Sequence, residues 1–525
     1  MRATIMTSGG TLPRVPKRSL PVLSSLCLMA ACTTMTPSPD RRSPELQAAS
    51  LFDSIADNPV LLRLFLRDMP KGGDLHNHAS GTPYAEDYLE WADKRDFCVT
   101  NDPAAISFPP CDGEGELSAR DLMYTNPGLY ADIVDSLSVR EMTAGVDNGR
   151  SGHEQFFASF NKFFPIVSQE SAKTLASVRE LAADDAVSYV ELMFNPQAID
   201  SYFSQVVDPE WDETDLEAAY QRFRPEIDEL VEEAIAERTE TEAEANALLK
   251  CDMPDADDGC NVTVYYNTYG LRRFPNEQLF RQLTLGFALI EADHRFLGMS
   301  LVEPEDDPRS VKNYDLHMKM IAFLNAKYPS AKVSLHAGEL TLGLAPSTAL
   351  RSHIRDAILI AGSTRIGHGI DIAWEHNSRD TLALMAAEKI AVEINLVSNQ
   401  VILGVSGKEH PLNLYRQSGV PFVLSTDDQG VLRTDMTEQY VRAALEHGLG
   451  YQDLKQAARN SIAYAFLPGS SIWDDQVGIP NDACMTLSSM SCRELAEESP
   501  KAKLQIQLEQ NFIAFEQDIV DWPGR

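Results

Sequence analysis

Eight short apolar runs, most of them separated by helix-like segments, constrain the fold of this chain more than any other feature. The runs begin near positions 71, 187, 262, 296, 331, 364, 390 and 421. Strands that alternate with helices favour a parallel sheet, and eight such units predict a closed (β/α)8 TIM barrel. An open doubly wound sheet is the alternative, but it usually carries a glycine-rich loop after its first strand, and the sequence shows none there. We therefore expect a TIM barrel with extra helices and an acidic helical segment.

Four of the predicted strands, the first, fifth, sixth and eighth, end in polar motifs. The motifs are His76-Asn77-His78, His336-Ala337-Gly338-Glu339, Gly367-His368-Gly369 and Ser425-Thr426-Asp427-Asp428. Because side chains on a strand alternate between its faces, the two histidines of the first motif point to the same side. The carboxyl ends of all barrel strands open on one mouth, and strands 1 and 8 are neighbours there. We therefore expect the four motifs to meet.

The side chains in these motifs have the chemistry of a metal-dependent hydrolytic site. The candidate ligands are three histidines and one aspartate: His76, His78, His336 and Asp427. Such nitrogen and oxygen donors suit zinc, which lowers the pKa of a bound water to about 7. Glu339 is placed to exchange a proton with the substrate, His368 to orient or deprotonate the water, and Asp428 to hold that water or a substrate N–H.

The remaining histidines and one strand carboxylate have simpler interpretations. Glu191, on the second predicted strand, is interpreted as a structural carboxylate inside the barrel. His353, His376 and His410 are predicted to lie at the surface.

The four motifs, in this order, resemble those of the adenosine deaminase family. The similarity extends from about residue 60 to 468 and includes Met69-Pro70-Lys71-Gly72 and Ala457-Ala458-Arg459-Asn460-Ser461. The Met-Pro-Lys-Gly lead and the apolar N-terminus are most similar to the secreted, growth-factor-related branch of that family. The resemblance implies a barrel with one zinc ion per chain. It also implies that the 6-amino group of adenosine or 2′-deoxyadenosine is replaced by oxygen, with release of ammonia.

The resemblance also implies individual roles for site residues. The zinc ligands would be His76, His78, His336 and Asp427. Glu339 would protonate the ring nitrogen beside the reacting carbon, and His368 would be the base near the metal-bound hydroxide. Asp428 and the backbone N–H of Gly338 would each hydrogen-bond a purine ring nitrogen. Ser80 departs from the pattern, because many members have an aspartate there that contacts the ribose, and the sugar end of the substrate is therefore left open.

Two other functions remain open at this point. The same motifs would serve a deaminase of adenine, of a nucleotide or of an N6-modified purine. A catalytically inactive barrel that acts in binding or signalling is the second alternative, and a competent residue at every catalytic position argues against it. The sequence makes no prediction of oligomeric state.

The charge of the chain limits its partners. The 78 acidic and 45 basic residues give a formal charge of −33, which disfavours nucleic acid and nucleotide substrates. Residues 208–258 contain 19 acidic and 4 basic residues, and a helical apolar stripe runs through them. We expect a solvated helix on the outside of the domain, with a partner-binding arm as the alternative.

The N-terminus predicts export. Basic residues precede the apolar run Leu20 to Ala31, which is typical of a signal peptide over residues 1–32. Leu28-Met29-Ala30-Ala31-Cys32 resembles a bacterial lipobox, in which Cys32 becomes lipidated; ordinary cleavage to a soluble periplasmic protein is the alternative. Residues 33–48 are predicted to form a flexible tether and residues 49–525 the metal-dependent barrel domain. We expect location in the bacterial periplasm or at an envelope membrane, with contact to the membrane only through the lipid anchor.

The remaining six cysteines form three close pairs in the sequence. The predicted disulfides are Cys98–Cys111, Cys251–Cys260 and Cys484–Cys492. The first of them lies in residues 96–116, which are predicted to form a loop. Local disulfides fit an oxidising compartment, and the C-x-x-C knuckles of a zinc ribbon do not occur. Free buried thiols are the alternative.

Overall fold

The computed structural model describes residues 43–143, 149–203 and 210–519. The predicted signal peptide (residues 1–32) and residues 33–42 of the predicted tether lie outside these ranges. Helix α1 (Pro44–Ile55) begins within the predicted tether, and the Ser43 side chain caps it by accepting from the Leu46 N–H. Helix α1 therefore overlaps residues 44–48 of the predicted tether. A serine followed by proline supplies the start signals of a helix four residues earlier.

The strands of the described residues form an eight-stranded parallel sheet and a three-stranded antiparallel sheet. In chain order they are β1 (Gly72–His78), β2 (Cys98–Asn101), β3 (Ala104–Ser107), β4 (Glu116–Ser118), β5 (Val187–Met193), β6 (Thr263–Leu271), β7 (Phe296–Val302), β8 (Lys332–Ala337), β9 (Arg365–His368), β10 (Ala391–Ile394) and β11 (Phe422–Leu424). The parallel sheet has the order β1-β5-β6-β7-β8-β9-β10-β11, which matches the eight predicted strands.

The two edge strands of this sheet approach each other at a bridge between Asn77 and Asp427. The His78 N–H donates to the Asp427 carbonyl (3.2 Å), and the Asp427 N–H donates to the His76 carbonyl (2.9 Å). The sheet is thereby a nearly closed barrel, and the predicted (β/α)8 TIM barrel is confirmed. Every residue of β7 is buried, as expected for a parallel strand covered on both faces.

Helices surround the barrel strands, and further helices precede the first strand and follow the last one. The helices after α1 are α2 (Pro59–Asp68), α3 (Ala85–Lys94), α4 (Leu122–Thr125), α5 (Pro127–Ser136), α6 (Arg140–Thr143), α7 (Gly152–Val167), α8 (Ser171–Asp184), α9 (Gln197–Phe203), α10 (Leu216–Leu248), α11 (Asn276–Ala292), α12 (Pro308–Lys327), α13 (His353–Leu359), α14 (Ser378–Ala387), α15 (Leu396–Leu403), α16 (Leu412–Gln417), α17 (Met436–His447), α18 (Tyr451–Ala463), α19 (Met490–Glu498) and α20 (Pro500–Asp518). One large apolar core joins the strands to most of these helices.

A lobe formed by residues 85–143 and 149–167 is inserted between β1 and β5 and packs on the barrel mouth. Its separate apolar core includes Val397 and Leu432, which follow the carboxyl ends of β10 and β11. His153 Nε2 of the lobe lies 2.9 Å from Asp306 Oδ1, in the loop after β7. The sequence predicts a loop over residues 96–116, and this prediction is wrong, because β2, β3 and β4 pair there as an antiparallel sheet. Strands of three or four residues are too short for an alternating pattern to be recognised.

The acidic segment is a helix on the outside of the barrel, as predicted. Helix α10 has 33 residues, and its buried stripe includes Phe223, Ile227 and Val231. Its one fully buried cation in this stripe, Arg238, lies between the rings of Phe194 (4.3 Å) and Tyr266 (4.5 Å). The acidic side chains of the opposite face, such as Glu229 and Glu232, are exposed.

The three predicted disulfides are confirmed. They join Cys98 to Cys111, Cys251 to Cys260 and Cys484 to Cys492, with Cα–Cα distances of 5.3, 5.4 and 4.7 Å. Among the described residues, no helix combines the length and the apolar character needed to span a membrane.

Candidate active site

The four sequence motifs meet at the carboxyl ends of the barrel strands. His76 and His78 lie at the end of β1, and His336 lies near the end of β8. His78 Nε2 is 3.2 Å from both His336 Nε2 and Asp427 Oδ1, and His76 Nε2 is 3.5 Å from the same carboxylate oxygen. His368, the last residue of β9, has its Nε2 3.9 Å from Asp427 Oδ2. The structure thus brings together side chains that are up to 351 positions apart in the sequence.

These side chains fit a metal ion. His76 Nε2 is buried and has no hydrogen-bond partner among the described residues. Two groups of side chains offer ligand atoms within 4.8 Å of one another: His76, His336, His368 and Asp427, and His78, Asp427 and Asp428. Imidazole nitrogens and carboxylate oxygens are donors that zinc accepts. The cluster is therefore a possible metal site.

A buried chain of charged residues holds His76 from behind. Its Nδ1 lies 2.7 Å from Glu393 Oε2, and Arg365 donates to Glu393 Oε1 and to Glu191 Oε2, both at 2.6 Å. Because a carboxylate can only accept, the His76 proton lies on Nδ1, and the Nε2 lone pair faces the cluster. Glu191 is a structural carboxylate inside the barrel, as predicted. Gly367 makes room for the imidazole, since a Cβ there would lie 2.8 Å from His76 Cε1.

Glu339 lies beside this cluster and is only 6% exposed. Its Oε1 has no hydrogen-bond partner among the described residues and is 3.6 Å from His368 Nδ1. Burial raises the pKa of Glu339 well above its usual range, and the nearby carboxylates of Asp427 and Glu305 raise it further. A carboxyl group that keeps its proton near neutral pH can act as a general acid.

The loop that carries Glu339 is fixed by a carboxylate that the sequence analysis did not single out. Glu305 accepts from the backbone N–H groups of Gly338 (3.1 Å) and Glu339 (2.8 Å). The Gly338 N–H is thus already bonded within the protein, which argues against its predicted contact with the purine. Glu305 also lies 2.6 Å from His353 Nδ1, and the His353 ring stacks on Tyr314 at 3.6 Å. His353 is therefore buried, and its predicted surface position is wrong.

Asp428 is another buried carboxyl group at the mouth, at 3% exposed. Its Oδ1 has no hydrogen-bond partner among the described residues. Burial raises the pKa of Asp428 well above its usual range, and the adjacent Asp427 adds to the shift. Gly81 packs directly on Asp428, because a Cβ at Gly81 would collide with that carboxylate. Ser80 precedes Gly81 in a short 3-10 helix after β1, and its carbonyl accepts from the Tyr88 hydroxyl (2.6 Å).

Three residues at the carboxyl ends of barrel strands have left-handed backbone conformations. The φ angles are 76° at Glu303, 66° at His368 and 64° at Asp427. Non-glycine residues adopt this region at a cost, and such strain occurs often at functional sites. Two of the three belong to the predicted motifs. Glu303 was not predicted, and it accepts from the Arg273 N–H (3.0 Å).

His368 contacts two residues of the segment after β10. Its Nδ1 lies 2.9 Å from Asn399 Nδ2 and 3.4 Å from Asn395 Nδ2. Asn399 Oδ1 in turn lies 3.1 Å from His410 Nε2. Burial lowers the pKa of His368 to about 3 and that of His410 to about 3. His410 is buried, so its predicted surface position is wrong, whereas His376 is exposed, as predicted.

Comparison with known proteins identifies the region that carries most of this site. Residues 271–472 match the family model for adenosine deaminase. This region is similar to the adenosine deaminase family. It contains His336, Glu339, His368 and Asp427, and the family resemblance predicted from the sequence is confirmed there. The resemblance to the growth-factor-related branch stays a prediction.

The similarity to curated adenosine deaminases is partial. The adenosine deaminase of Clostridium perfringens is 28% identical over 185 residues, which are 34% of this chain and 51% of that protein. This chain spans about half the length, or less, of the first curated adenosine deaminases that it matches.

Solved structures extend the similarity of fold to about four fifths of the chain. An adenine deaminase from Arthrobacter aurescens has a TM-score of 0.51 at 15% identity, over 84% of this chain and 98% of that protein. An N6-methyl-AMP deaminase from Arabidopsis thaliana has a TM-score of 0.51 at 19% identity, over 77% of this chain and 94% of that protein. These likenesses support the barrel fold.

The adenosine deaminase-like site contains residues that the sequence analysis missed. They are Glu303, Glu305, Glu393, Asn399 and His410. His410 was predicted to lie at the surface, but it contacts Asn399 inside the site. A sequence signal exists for Glu393, which is a lone charge inside the apolar strand β10. Asn399 has no such signal, because its importance depends on which residues the fold places beside it.

Proposed function

We propose that this chain is a zinc-dependent deaminase that converts adenosine and 2′-deoxyadenosine to inosine and 2′-deoxyinosine with release of ammonia. One observation carries the proposal. A buried Glu339 carboxyl group, with its pKa raised, lies at a barrel mouth beside a cluster of histidines and Asp427. The family match covers this part of the chain and supports the same reaction.

One zinc ion per chain would be held by the nitrogen atoms of three histidines and one carboxylate. The ligands in the proposal are His76, His78, His336 and Asp427. When bound there, zinc would supply a water that is activated near neutral pH.

Glu339 would deliver a proton to the purine ring. Addition of an oxygen nucleophile to the carbon that bears the amino group breaks the ring conjugation, so the neighbouring ring nitrogen must gain a proton at the same time. Burial raises the pKa of the Glu339 carboxyl group well above its usual range, which favours the protonated form that this step needs. The hydroxyl group of the adduct then gives up its proton and becomes the carbonyl, the amino nitrogen gains a proton, and the C–N bond breaks to release ammonia.

Two other residues would position the reactants. His368 Nε2 is buried, has no hydrogen-bond partner among the described residues and faces Asp427, so it is placed to orient the attacking oxygen. A protonated Asp428 can donate to another purine ring nitrogen. The Gly338 N–H has no part in this proposal, because it is bonded to Glu305.

Deamination of another aminopurine is the second candidate. The fold is shared with an adenine deaminase and with an N6-methyl-AMP deaminase, so the barrel itself does not select the substrate. A charge of −33 opposes an anionic nucleotide, which places adenosine before AMP in our proposal. For the same reason we propose no nucleic-acid partner.

A purine panel with metal analysis tests the proposal. Adenosine, 2′-deoxyadenosine, adenine, AMP and N6-methyl-AMP are assayed by ultraviolet absorbance, with zinc counted in the same sample. We expect the highest kcat/KM for adenosine and about one zinc per chain, and we expect Glu339→Gln to lower kcat by about 10²–10⁴ at unchanged zinc content. A higher kcat/KM for adenine or AMP would make that compound the substrate in place of adenosine. Turnover without any metal would refute the zinc site.

We also propose that the protein is exported and anchored by lipid at Cys32. Support comes from the lipobox-like residues before Cys32 and from three local disulfides, which fit an oxidising compartment. The test is Cys32→Ser with membrane fractionation, and we expect the variant to leave the membrane fraction. Unchanged maturation and fractionation would refute the anchor.

A further inference from the structure

A chain of hydrogen bonds connects a backbone N–H to the His368 ring through two buried side chains. The Leu412 N–H donates to His410 Nδ1 at 3.1 Å. His410 Nε2 lies 3.1 Å from Asn399 Oδ1, and Asn399 Nδ2 lies 2.9 Å from His368 Nδ1. The three side chains are at most 4% exposed. We call this chain the Leu412–His368 relay.

Each bond of the relay can run in only one direction. A backbone N–H can only donate, so His410 Nδ1 accepts and the proton of this neutral imidazole lies on Nε2. That N–H donates to Asn399 Oδ1, which fixes the orientation of the amide. The amide nitrogen then donates to His368 Nδ1. A neutral His368 whose Nδ1 accepts must carry its proton on Nε2.

We propose that His410 and Asn399 are positioning residues that hold the proton of His368 on Nε2, so that His368 donates a hydrogen bond into the site. The sequence alone leaves open whether His368 orients the attacking oxygen or takes a proton from it. The relay selects the first role, because the Nε2 lone pair is already occupied by a proton. This inference deepens the proposed function and rests on it for the identity of the oxygen that His368 contacts.

The opposite arrangement at His76 sharpens the inference. His76 donates through Nδ1 to Glu393, which leaves the Nε2 lone pair facing the cluster. His368 belongs to the same group of candidate ligands, and its Nε2 lies 3.9 Å from Asp427 Oδ2, but an N–H cannot ligate a metal. Glu393 therefore makes His76 a metal ligand, and Asn399 makes His368 a hydrogen-bond donor. This division agrees with the ligand set His76, His78, His336 and Asp427.

A competing arrangement would place the His368 proton on Nδ1, directed to Glu339 Oε1. That oxygen is 3.6 Å away, beyond hydrogen-bond distance. The Asn399 amide would then face an N–H at 2.9 Å with its own N–H, unless the amide turned. Turning it would place two N–H groups together at His410. The competing arrangement therefore breaks one bond of the relay whichever way the Asn399 amide is oriented.

Nitrogen NMR on the full, zinc-loaded protein tests the relay directly. Two-bond ¹⁵N–¹H correlations distinguish the two neutral forms of an imidazole, and the His368 signals are assigned by their loss in His368→Gln. We expect the proton of His368 on Nε2. A proton on Nδ1, or on both nitrogens, at neutral pH would overturn the inference. The measurement needs no turnover, so it stands even if the proposed substrate is wrong.

Two carboxylate substitutions reverse the relay. In Asn399→Asp both oxygens accept, so the His368 proton should move to Nδ1. In His410→Glu the carboxylate accepts from the Asn399 amide, which must turn, with the same result. His410→Gln is the matched control, because its amide nitrogen can donate to Asn399 Oδ1 as the histidine does. His376→Ala, at an exposed position, controls for the loss of a histidine.

We expect both carboxylate variants to lower kcat by about 10²–10³, as does loss of one positioned donor. Cobalt-substituted Asn399→Asp should also show a changed visible spectrum, because the freed Nε2 becomes able to ligate the metal. His410→Gln should keep the wild-type proton position and spectrum. If a carboxylate variant moved the proton to Nδ1 and kept kcat within about twofold, the donor role would be wrong. If neither variant moved the proton, the relay would be wrong.

Discussion

Buried polar groups at the two ends of the barrel differ in whether they have hydrogen-bond partners among the described residues. At the amino-terminal end, the fully buried Lys71 donates to the carbonyls of Arg67 (3.1 Å), Met69 (3.2 Å) and Asp185 (2.7 Å). Inside the barrel, Arg365 bonds two carboxylates and the carbonyl of Tyr464. These charges have partners within the protein, as is usual for buried polar groups that contribute to stability.

At the carboxyl-terminal end, several buried polar atoms have no partner among the described residues. They are His76 Nε2, Glu339 Oε1, His368 Nε2 and Asp428 Oδ1. Buried polar atoms are costly to leave unpaired, and each of these faces the same mouth. The buried polar groups at the amino-terminal end therefore contribute to stability, whereas those at the carboxyl-terminal end are available to bind an ion and a substrate. Substitutions should therefore lower stability at the first end and activity at the second.

The largest expected effect is at Glu339. Glu339→Gln keeps the shape of the side chain but has no acidic proton to deliver to the ring nitrogen. We expect kcat to fall by about 10²–10⁴, with zinc content and ground-state binding nearly unchanged. The measurement is kcat and KM beside metal content.

Two ligand variants serve as contrasts for that experiment. Asp427→Ala and His336→Ala should lower metal occupancy, and part of their activity should return with added zinc. A Glu339→Gln enzyme that kept most of its kcat, or lost its metal, would remove Glu339 from its assigned role.

Gly81→Ala should separate substrate positioning from metal binding. The added methyl group would collide with the Asp428 carboxylate and move it, and the three heavy atoms nearest to that methyl group all belong to Asp428. Displacing a positioned group by about 1 Å can cost about 10²-fold in rate, so we expect kcat/KM to fall by about that factor. Zinc content and thermal stability are the checks.

The control for Gly81→Ala is the same substitution at a glycine with free space around it. In Gly404→Ala the added Cβ meets no atom within 4 Å, although the positive φ of 70° adds strain. Gly404→Ala should therefore keep the wild-type kcat/KM. Unchanged kcat/KM in Gly81→Ala as well would show that Asp428 is not a positioning group.

Glu393→Gln should weaken metal binding, although Glu393 is not itself a ligand and acts through His76. Arg365 and Ser334 both donate to Glu393 Oε1, so the amide oxygen stays with them and the amide nitrogen faces His76. That nitrogen would donate to His76 Nδ1 and move the proton to Nε2, where it blocks the metal. Loss of such an outer partner typically costs about 10–100-fold in metal affinity. Competition with a chelator measures the change.

Glu516→Gln is the matched control for Glu393→Gln. Glu516 is a buried carboxylate bonded to Lys455 (2.6 Å) and Tyr451 (2.8 Å), away from the mouth. Glu516→Gln should lower the free energy of unfolding and leave the metal affinity unchanged. Equal metal affinity in the two variants would break the distinction between the two ends.

Lys71→Met tests the opposite end of the barrel. Methionine keeps the apolar stem, but three carbonyl acceptors lose their donor. We expect the free energy of unfolding to fall by about 1–3 kcal/mol, the cost of leaving buried acceptors unpaired. Denaturant unfolding measures this change, and kcat per folded molecule should be that of the wild type. A fall in kcat at full folding would show that the amino-terminal end also controls activity.

The sequence predicted the features that repeat or occur in sequence motifs. Each barrel strand is an apolar run, and parallel strand ends converge, so the meeting of His76, His336 and Asp427 followed from topology. The three disulfides followed from short spacing. The small sheet in the inserted lobe did not, because its strands are three or four residues long. The burial of His353 and His410 also did not, because each depends on one distant partner, Glu305 or Asn399, that no local pattern reveals.

The smallest expected effect is at Ser80, at the rim of the mouth. Resemblance to the adenosine deaminase family indicates that an aspartate at this position contacts the ribose, whereas serine is shorter and uncharged. A neutral hydrogen bond contributes about 0.5–1.5 kcal/mol, and one to a charged group about 1.5–3 kcal/mol. We therefore expect 2′- and 5′-deoxyadenosine to differ from adenosine by less than about tenfold in kcat/KM. Ser80→Asp is the matched variant, and it should increase that discrimination to about tenfold or more. The comparison uses each enzyme's own ratio, so a general loss of activity cancels. Strong discrimination by the wild type, with none added in Ser80→Asp, would show that another residue binds the sugar.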